Sequence, residues 1–249
     1  MMKYLLSTLM FIAVFLSSSL QAQKTVNSVS RPVSHELWNT FLKKHVSDEG
    51  HVNYKAIIQD KSELDKYLTL LENSHPNVKW TENERKAYWI NAYNAFTVKL
   101  IIDNYPLKSI KEIGGALKST WDISFIKIEG QTYSLGDIEH KILRKEFDDP
   151  RIHFAINCAS VSCPILLNEA FLSETLDQQL NRAAEGFIND SSRNKFSAGL
   201  AQVSSIFNWF SEDFTKQGTL VDYLNLYSKV RLNTKTKVKY LDYNWNLNE

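Results

Sequence analysis

The chain has little of what most small-site chemistries require. It holds two cysteines, Cys158 and Cys163, in 249 residues. That is too few for a disulfide scaffold, and no Cys-x-x-Cys pair of the zinc type occurs. No glycine-rich phosphate loop is present, and neither is the Gly-x-Ser-x-Gly elbow of the α/β hydrolases. No cofactor is therefore expected. Charge of one sign is not in excess either: 29 basic residues face 28 acidic ones, which gives no electrostatic reason for nucleic acid or an anionic membrane as partner. Glycine and proline are sparse, at 8 and 5, so extended linkers and collagen-like or low-complexity folds are excluded. No internal repeat is visible.

One apolar run stands at the N-terminus. Lys3 precedes an apolar core from Leu5 to Leu16, and Ser17-Ser18-Ser19-Leu20-Gln21-Ala22 follows as a small-residue exit. This reads as a secretory signal peptide over residues 1–22, too short for a membrane anchor, and makes the protein exported, to the periplasm or beyond. The leader takes one basic residue with it and leaves the charges balanced. Residues 23–33 read as a flexible lead-in, and 34–249 as one globular domain. No later segment is apolar enough to span a bilayer.

Helices dominate the first half and short strands the second, an α+β pattern. The expected architecture is a buried central helix packed on a small, mostly antiparallel sheet with surrounding helices. Ser34 heads a helix over 35–45, and Asp60 with Glu63 starts another that ends near 73. Val46 to Tyr54 reads as a solvated loop, in spite of His45, Asp48, Glu49 and His51. Thr81 with Glu84 opens the longest helix, to about Asn104. Between Ala87 and Ile102 its only polar residues are Asn91, Asn94, Thr97 and Lys99, so it belongs inside the fold. A hairpin is expected around Glu129-Gly130, then a helix over 135–147 carrying Glu139 and His140. An amphipathic helix over 176–188, a strand at 200–203, helices over 206–214 and 220–227, and a C-terminal hairpin over 230–247 complete the reading. Val238, Tyr240, Tyr243 and Trp245 are the inward residues expected of that last hairpin.

The chemistry concentrates in Arg151-Ile-His-Phe-Ala-Ile-Asn-Cys-Ala-Ser-Val-Ser-Cys-Pro164. Ile152 to Cys158 reads as a buried strand and Ala159 to Pro164 as a tight turn. His153 is the histidine of this apolar run. A nucleophile, a base and an orienting group are the minimum set for covalent catalysis. Cys158 or Cys163 supplies the first, His153 the second and Glu139 the third, with Asn91, Asn94, His140 and Asn157 as binding or orienting groups. Strand alternation places His153 and Cys158 on opposite faces, which favours Cys163 as nucleophile unless a bulge at Asn157 intervenes. Five extended residues span ~16 Å, too far for a disulfide, but the turn can bring both cysteines together, and an exported pair often oxidises.

Four segments resemble the family filed as domain of unknown function 547. They are Ala87-Tyr-Trp-Ile-Asn-Ala-Tyr-Asn-Ala-Phe96, Tyr133-Ser-Leu-Gly-Asp-Ile-Glu-His-Lys-Ile-Leu-Arg144, Asp149 to Pro164, and Tyr240-Leu-Asp-Tyr-Asn-Trp-Asn-Leu-Asn248. The resemblance runs from about Leu37 onward and implies no activity. The order of a buried helix and a later His is also similar to papain-like and transglutaminase-like folds. Those carry the nucleophilic Cys at the start of the helix, where this chain has none.

The leading expectation is a hydrolase or acyl-type transferase acting on a small-molecule or peptide ligand. The alternative is a non-catalytic periplasmic binding or scaffold module stapled by a Cys158–Cys163 disulfide.

Overall fold

Thr81 and Glu84 close a capping box: the Thr81 side chain accepts from the Glu84 N–H, and the Glu84 carboxylate accepts from the Thr81 N–H. The helix it opens, α4 (Glu82–Asn104), is the spine of the fold. In the computed structural model, which describes residues 28–115, 118–197 and 199–249, nearly every side chain of α4 from Lys86 to Ile102 is buried. The expected leader over 1–22 and the first part of the lead-in, residues 23–27, lie outside the described residues.

Three helices precede α4: α1 (Glu36–His45), α2 (Tyr54–Gln59) and α3 (Ser62–Glu72). The apolar stripe of α3 is buried as its spacing predicts, through Leu64, Tyr67, Leu68 and Leu71; on α1, Trp38, Phe41 and Leu42 are buried, but Leu37, expected on the same face, is exposed. Each such large apolar side chain contributes ~1.5–3 kcal/mol on burial. Two expected starts differ in detail. Ser34 and Asp60 each bond an N–H two residues on, and neither helix has a side-chain cap at its N-cap position. The segment before Tyr54 continues into α2, capped by Asn53, whose side chain accepts from the Ala56 N–H.

Strands β1 (Ile126–Ile128) and β2 (Gln131–Tyr133) pair antiparallel in the expected hairpin. Its turn residues Glu129 and Gly130 both take positive φ, 43° and 75°, as a tight two-residue hairpin turn requires. A π-helical segment (Asp137–Leu143) follows, and one α-turn, α5 (Arg144–Glu146), continues it. Ser134 and Asp137 close the start reciprocally. The π-segment, α2 and α3 pack directly on α4.

The remaining elements are α6 (Leu176–Asn189), β3 (Lys195–Ser197), β4 (Leu200–Val203), α7 (Ile206–Trp209), α8 (Ser211–Phe214), α9 (Leu220–Tyr227) and β5 (Lys237–Tyr240). They enclose a second apolar cluster around Phe154, Phe187, Phe207 and Phe214. β3 pairs antiparallel with β4, and β5 pairs with β4 in parallel. The whole is an α+β fold with two small sheets. Among the described residues no helix is long and apolar enough to cross a membrane.

Two expectations are corrected. Ile152 to Cys158 is not a strand. Asp149 caps a 3₁₀ helix over Pro150–Phe154 by accepting the Arg151 N–H, with Pro150 at the first helical position, where its missing N–H costs nothing. A short element covered on every side shows the same unbroken apolar run whether helical or extended, which is why the pattern misleads. The C-terminal hairpin is also absent. Only β5 forms, against β4, and Tyr240 is exposed rather than inward.

Candidate functional site

The spine positions the thiols. Asn94, fully inside α4, donates through Nδ2 to the Ala155 carbonyl (2.9 Å) and accepts through Oδ1 from the Asn157 N–H (2.8 Å). Asn157 in turn accepts from the Ala159 N–H (2.8 Å) and donates to the Pro164 carbonyl (2.7 Å). These bonds hold Ala159 at φ 56°, a left-handed conformation that costs a non-glycine residue ~1–2 kcal/mol. The chain reverses there and returns Cys163 to Cys158. The Cys158 N–H donates to Cys163 Sγ at 3.0 Å, and the two sulfurs lie 2.9 Å apart.

Cys158 Sγ also meets Ser160 Oγ at 3.2 Å and the Tyr243 hydroxyl at 3.3 Å, and Ser160 donates to Tyr243 at 3.1 Å. The turn is tied from outside. Val161 and Ser162 N–H groups donate to the carbonyls of Asn246 and Asn244, and Arg193 donates to the carbonyls of Cys163 and Val161. The hydrogen-bonded contact with the Cys163 sulfur holds the Cys158 thiol below its ordinary value in spite of burial. Burial itself pushes Cys163 well above. The two thiols thus divide into one poised to ionise and one that stays protonated.

Glu139 sits on the π-helical segment, a rare geometry that recurs at functional positions. It is buried. Oε2 accepts from the Tyr93 hydroxyl at 3.2 Å, and the Tyr93 oxygen accepts from Trp121 Nε1 at 3.1 Å. Burial, with the nearby Cys158 sulfur adding to it, raises the Glu139 carboxyl to about 7. Trp121 reaches the site because Gly136 has no side chain: a Cβ there would stand 3.0 Å from the Trp121 carbonyl oxygen.

His153 lies on the 3₁₀ helix and lines the same cavity, stacked on Phe210 with ring centroids 4.0 Å apart. Its Nε2 donates to Asp213 Oδ2 at 2.7 Å, and the same oxygen accepts from Arg144 Nε at 2.6 Å. Burial lowers the imidazole's affinity for a second proton, against the pull of Asp213. Burial also works to raise Asp213, but the hydrogen bonds from His153 and Arg144 outweigh it and hold the carboxyl well below the carboxylate range. The pair is therefore a neutral imidazole against a carboxylate, with the proton on Nε2. Nδ1 is buried and has no partner. Among the described residues no hydrogen bond joins His153 to either sulfur.

Cys158, Cys163, Glu139, His140 and His153 thus line one cavity of about 280 Å³. The other expected residues lie elsewhere. Asn91 binds both backbone groups of Phe171, at 2.7 and 3.0 Å, and Asn94 and Asn157 brace the thiol turn from behind. His140 is exposed at the rim, with Nδ1 3.3 Å from Arg144. The premise that set His153 and Cys158 apart, strand alternation, does not apply to a 3₁₀ helix followed by a turn. Sequence reasoning missed Asp213, Arg144, Tyr93, Trp121, Trp209 and Phe210. Only Tyr93, flanked by the two buried asparagines of α4, carried a usable signal. Among the described residues no group of three or more His, Cys, Asp or Glu side chains is placed to hold a metal.

An α+β unit with paired thiols, a buried carboxyl and an aromatic-walled cavity is the class these features define. Residues 78–188 match the family model described as protein of unknown function DUF547, a span from the entrance of α4 almost to the end of α6 that includes both cysteines, Glu139 and His153. No curated protein and no solved structure matches the chain.

Proposed function

We propose that the chain is an exported hydrolase or acyl-type transferase in which Cys158 is the nucleophile and Glu139 the proton carrier. One observation carries the reading: the Cys158 sulfur faces an apolar cavity with the Cys163 sulfur and the Ser160 and Tyr243 hydroxyls all at hydrogen-bond distance, a polar surround that favours thiolate. The thiolate attacks the acyl carbon and the C–S bond forms. The bond to the leaving group breaks, and the Glu139 carboxyl gives that group its proton. Water, or another acceptor, then attacks the thioester and gives its proton to the Glu139 carboxylate. The Cys158 thiolate leaves, restoring both groups. His153 serves this chemistry as a positioning residue: pinned by Asp213 and stacked on Phe210, it fixes one wall of the cavity. Export rests on the leader read from the sequence.

Alkylation by iodoacetamide at pH 7, resolved by mass spectrometry, tests the nucleophile. Cys158 is expected to react faster than Cys163 and faster than in the urea-unfolded chain, and Cys158→Ala to abolish hydrolysis of activated esters. Equal reactivity in the folded and unfolded chain would remove the reading. A second reading is favoured by the 2.9 Å between the sulfurs: in an oxidising compartment the pair closes to a disulfide and the protein binds without catalysis. Thiol titration of the native protein with and without reductant separates the two.

A further inference from the structure

We propose that the cavity holds the acyl part of the substrate and that this part is uncharged and carries an aromatic ring. The proposal rests on the acyl-transfer reading and supplies its substrate class. One wall of the cavity is a run of rings that reaches the Cys158 sulfur at the Tyr243 hydroxyl. Trp121 meets Trp245 edge-on at 5.7 Å, Trp245 stacks with Trp209 at 5.7 Å and 21°, and Tyr243 lies 4.5 Å from Trp245 and 4.8 Å from Trp209. Such surfaces favour a planar ring, which finds stacked and edge-on contacts together, over a flexible chain, which loses rotational freedom on binding.

Charge narrows the choice further. Lys111 lies over the Trp245 ring at 4.9 Å, and Arg144 over Phe210 at 5.1 Å, so two cations already border the aromatic wall and oppose a cationic ligand. The Cys158 thiolate opposes an anionic one. Arg144 is committed to Asp213 and is not free to neutralise a ligand carboxylate. Size agrees. A cavity of ~150 Å³ accepts benzene. About 280 Å³ therefore accommodates one ring and a short acyl arm that places its carbonyl at the sulfur.

The test uses Cys158→Ala protein, which binds without turnover, and titration calorimetry with cinnamamide as the probe. Saturable binding is expected, about tenfold or more tighter than for hexanamide, cinnamate or benzyltrimethylammonium. Adding Trp209→Ala, at a half-exposed position where the core stays closed, is expected to weaken cinnamamide about tenfold. No saturable binding of cinnamamide, or equal binding of hexanamide or either charged probe, overturns the proposal. Wild-type protein with p-nitrophenyl cinnamate and hexanoate separates the two claims. Cinnamamide binding without ester turnover removes acyl transfer and leaves the ring preference standing. Turnover of both esters at equal kcat/KM removes the preference and leaves acyl transfer.

Discussion

Asn94→Ala isolates the link between the spine and the thiol turn. The amide makes two buried bonds, to the Ala155 carbonyl and from the Asn157 N–H. Each backbone group left unpaired in the interior costs ~1–3 kcal/mol, so the sum is ~2–6 kcal/mol. The smaller alanine leaves room for water to reach one of them, which places the expected loss at about 2–4 kcal/mol. Urea unfolding followed by circular dichroism reads this as a fall in midpoint at constant m. Asn91→Ala is the internal control. It removes a like pair of bonds, to Phe171, and should cost a similar amount. Only Asn94→Ala should also change the rate at which iodoacetamide modifies Cys158, because Ala155 and Asn157 are the root of the turn. A loss below about 1 kcal/mol for Asn94→Ala, or equal effects of both variants on alkylation, would refute the reasoning.

Three further outcomes are expected. Glu139 titrates near 7 in the folded chain against an ordinary 4.5, so the stability it confers is fully present below pH 4.5 and is lost as pH rises through 7. The stability of wild type relative to Glu139→Gln should therefore fall by about 3 kcal/mol across that window, measured as urea midpoints at a series of pH values. Cys163→Ala removes the main hydrogen-bond partner of the Cys158 sulfur, so the pH midpoint of Cys158 alkylation should move upward; an unmoved midpoint would mean that Cys163 does not set it. Asp213→Asn leaves Arg144 without its carboxylate partner and should cost about 2–4 kcal/mol above pH 4, with the difference shrinking in acid, where wild-type Asp213 also loses its charge.

The parts of the fold legible in the sequence are those fixed by neighbours along the chain. The Thr81–Glu84 box, the stripes of α1, α3 and α6 and the Glu129-Gly130 turn each rest on contacts within a few residues. Misreadings occur where distant partners decide. Pro150–Phe154 packs against α6, a partner more than twenty residues on that its apolar pattern does not show, and the local Asp149–Pro150 cap signal reads instead as the opening of a strand. The partner of His153 lies at Asp213, in a short helix whose sequence marks only aromatic burial. The π-turn that buries Glu139 while exposing His140 has no local code comparable to a cap. The candidate site was legible as a set of residue types, and the roles of its two cysteines were not, because they depend on Ser160 and on Tyr243, remote in sequence.

The cavity outruns the stretch that matches the family model. Residues 78–188 contain both sulfurs and the carboxyl but none of Trp209, Phe210, Asp213, Tyr243 or Trp245. The strand-like tail at Asn244 and Asn246 also secures the turn's N–H groups. A fragment trimmed to the shared stretch would keep the reactive atoms and lose the room they act in. A variant of this chain altered only downstream of it would keep the same sulfurs under a different roof, with freedom to choose different guests.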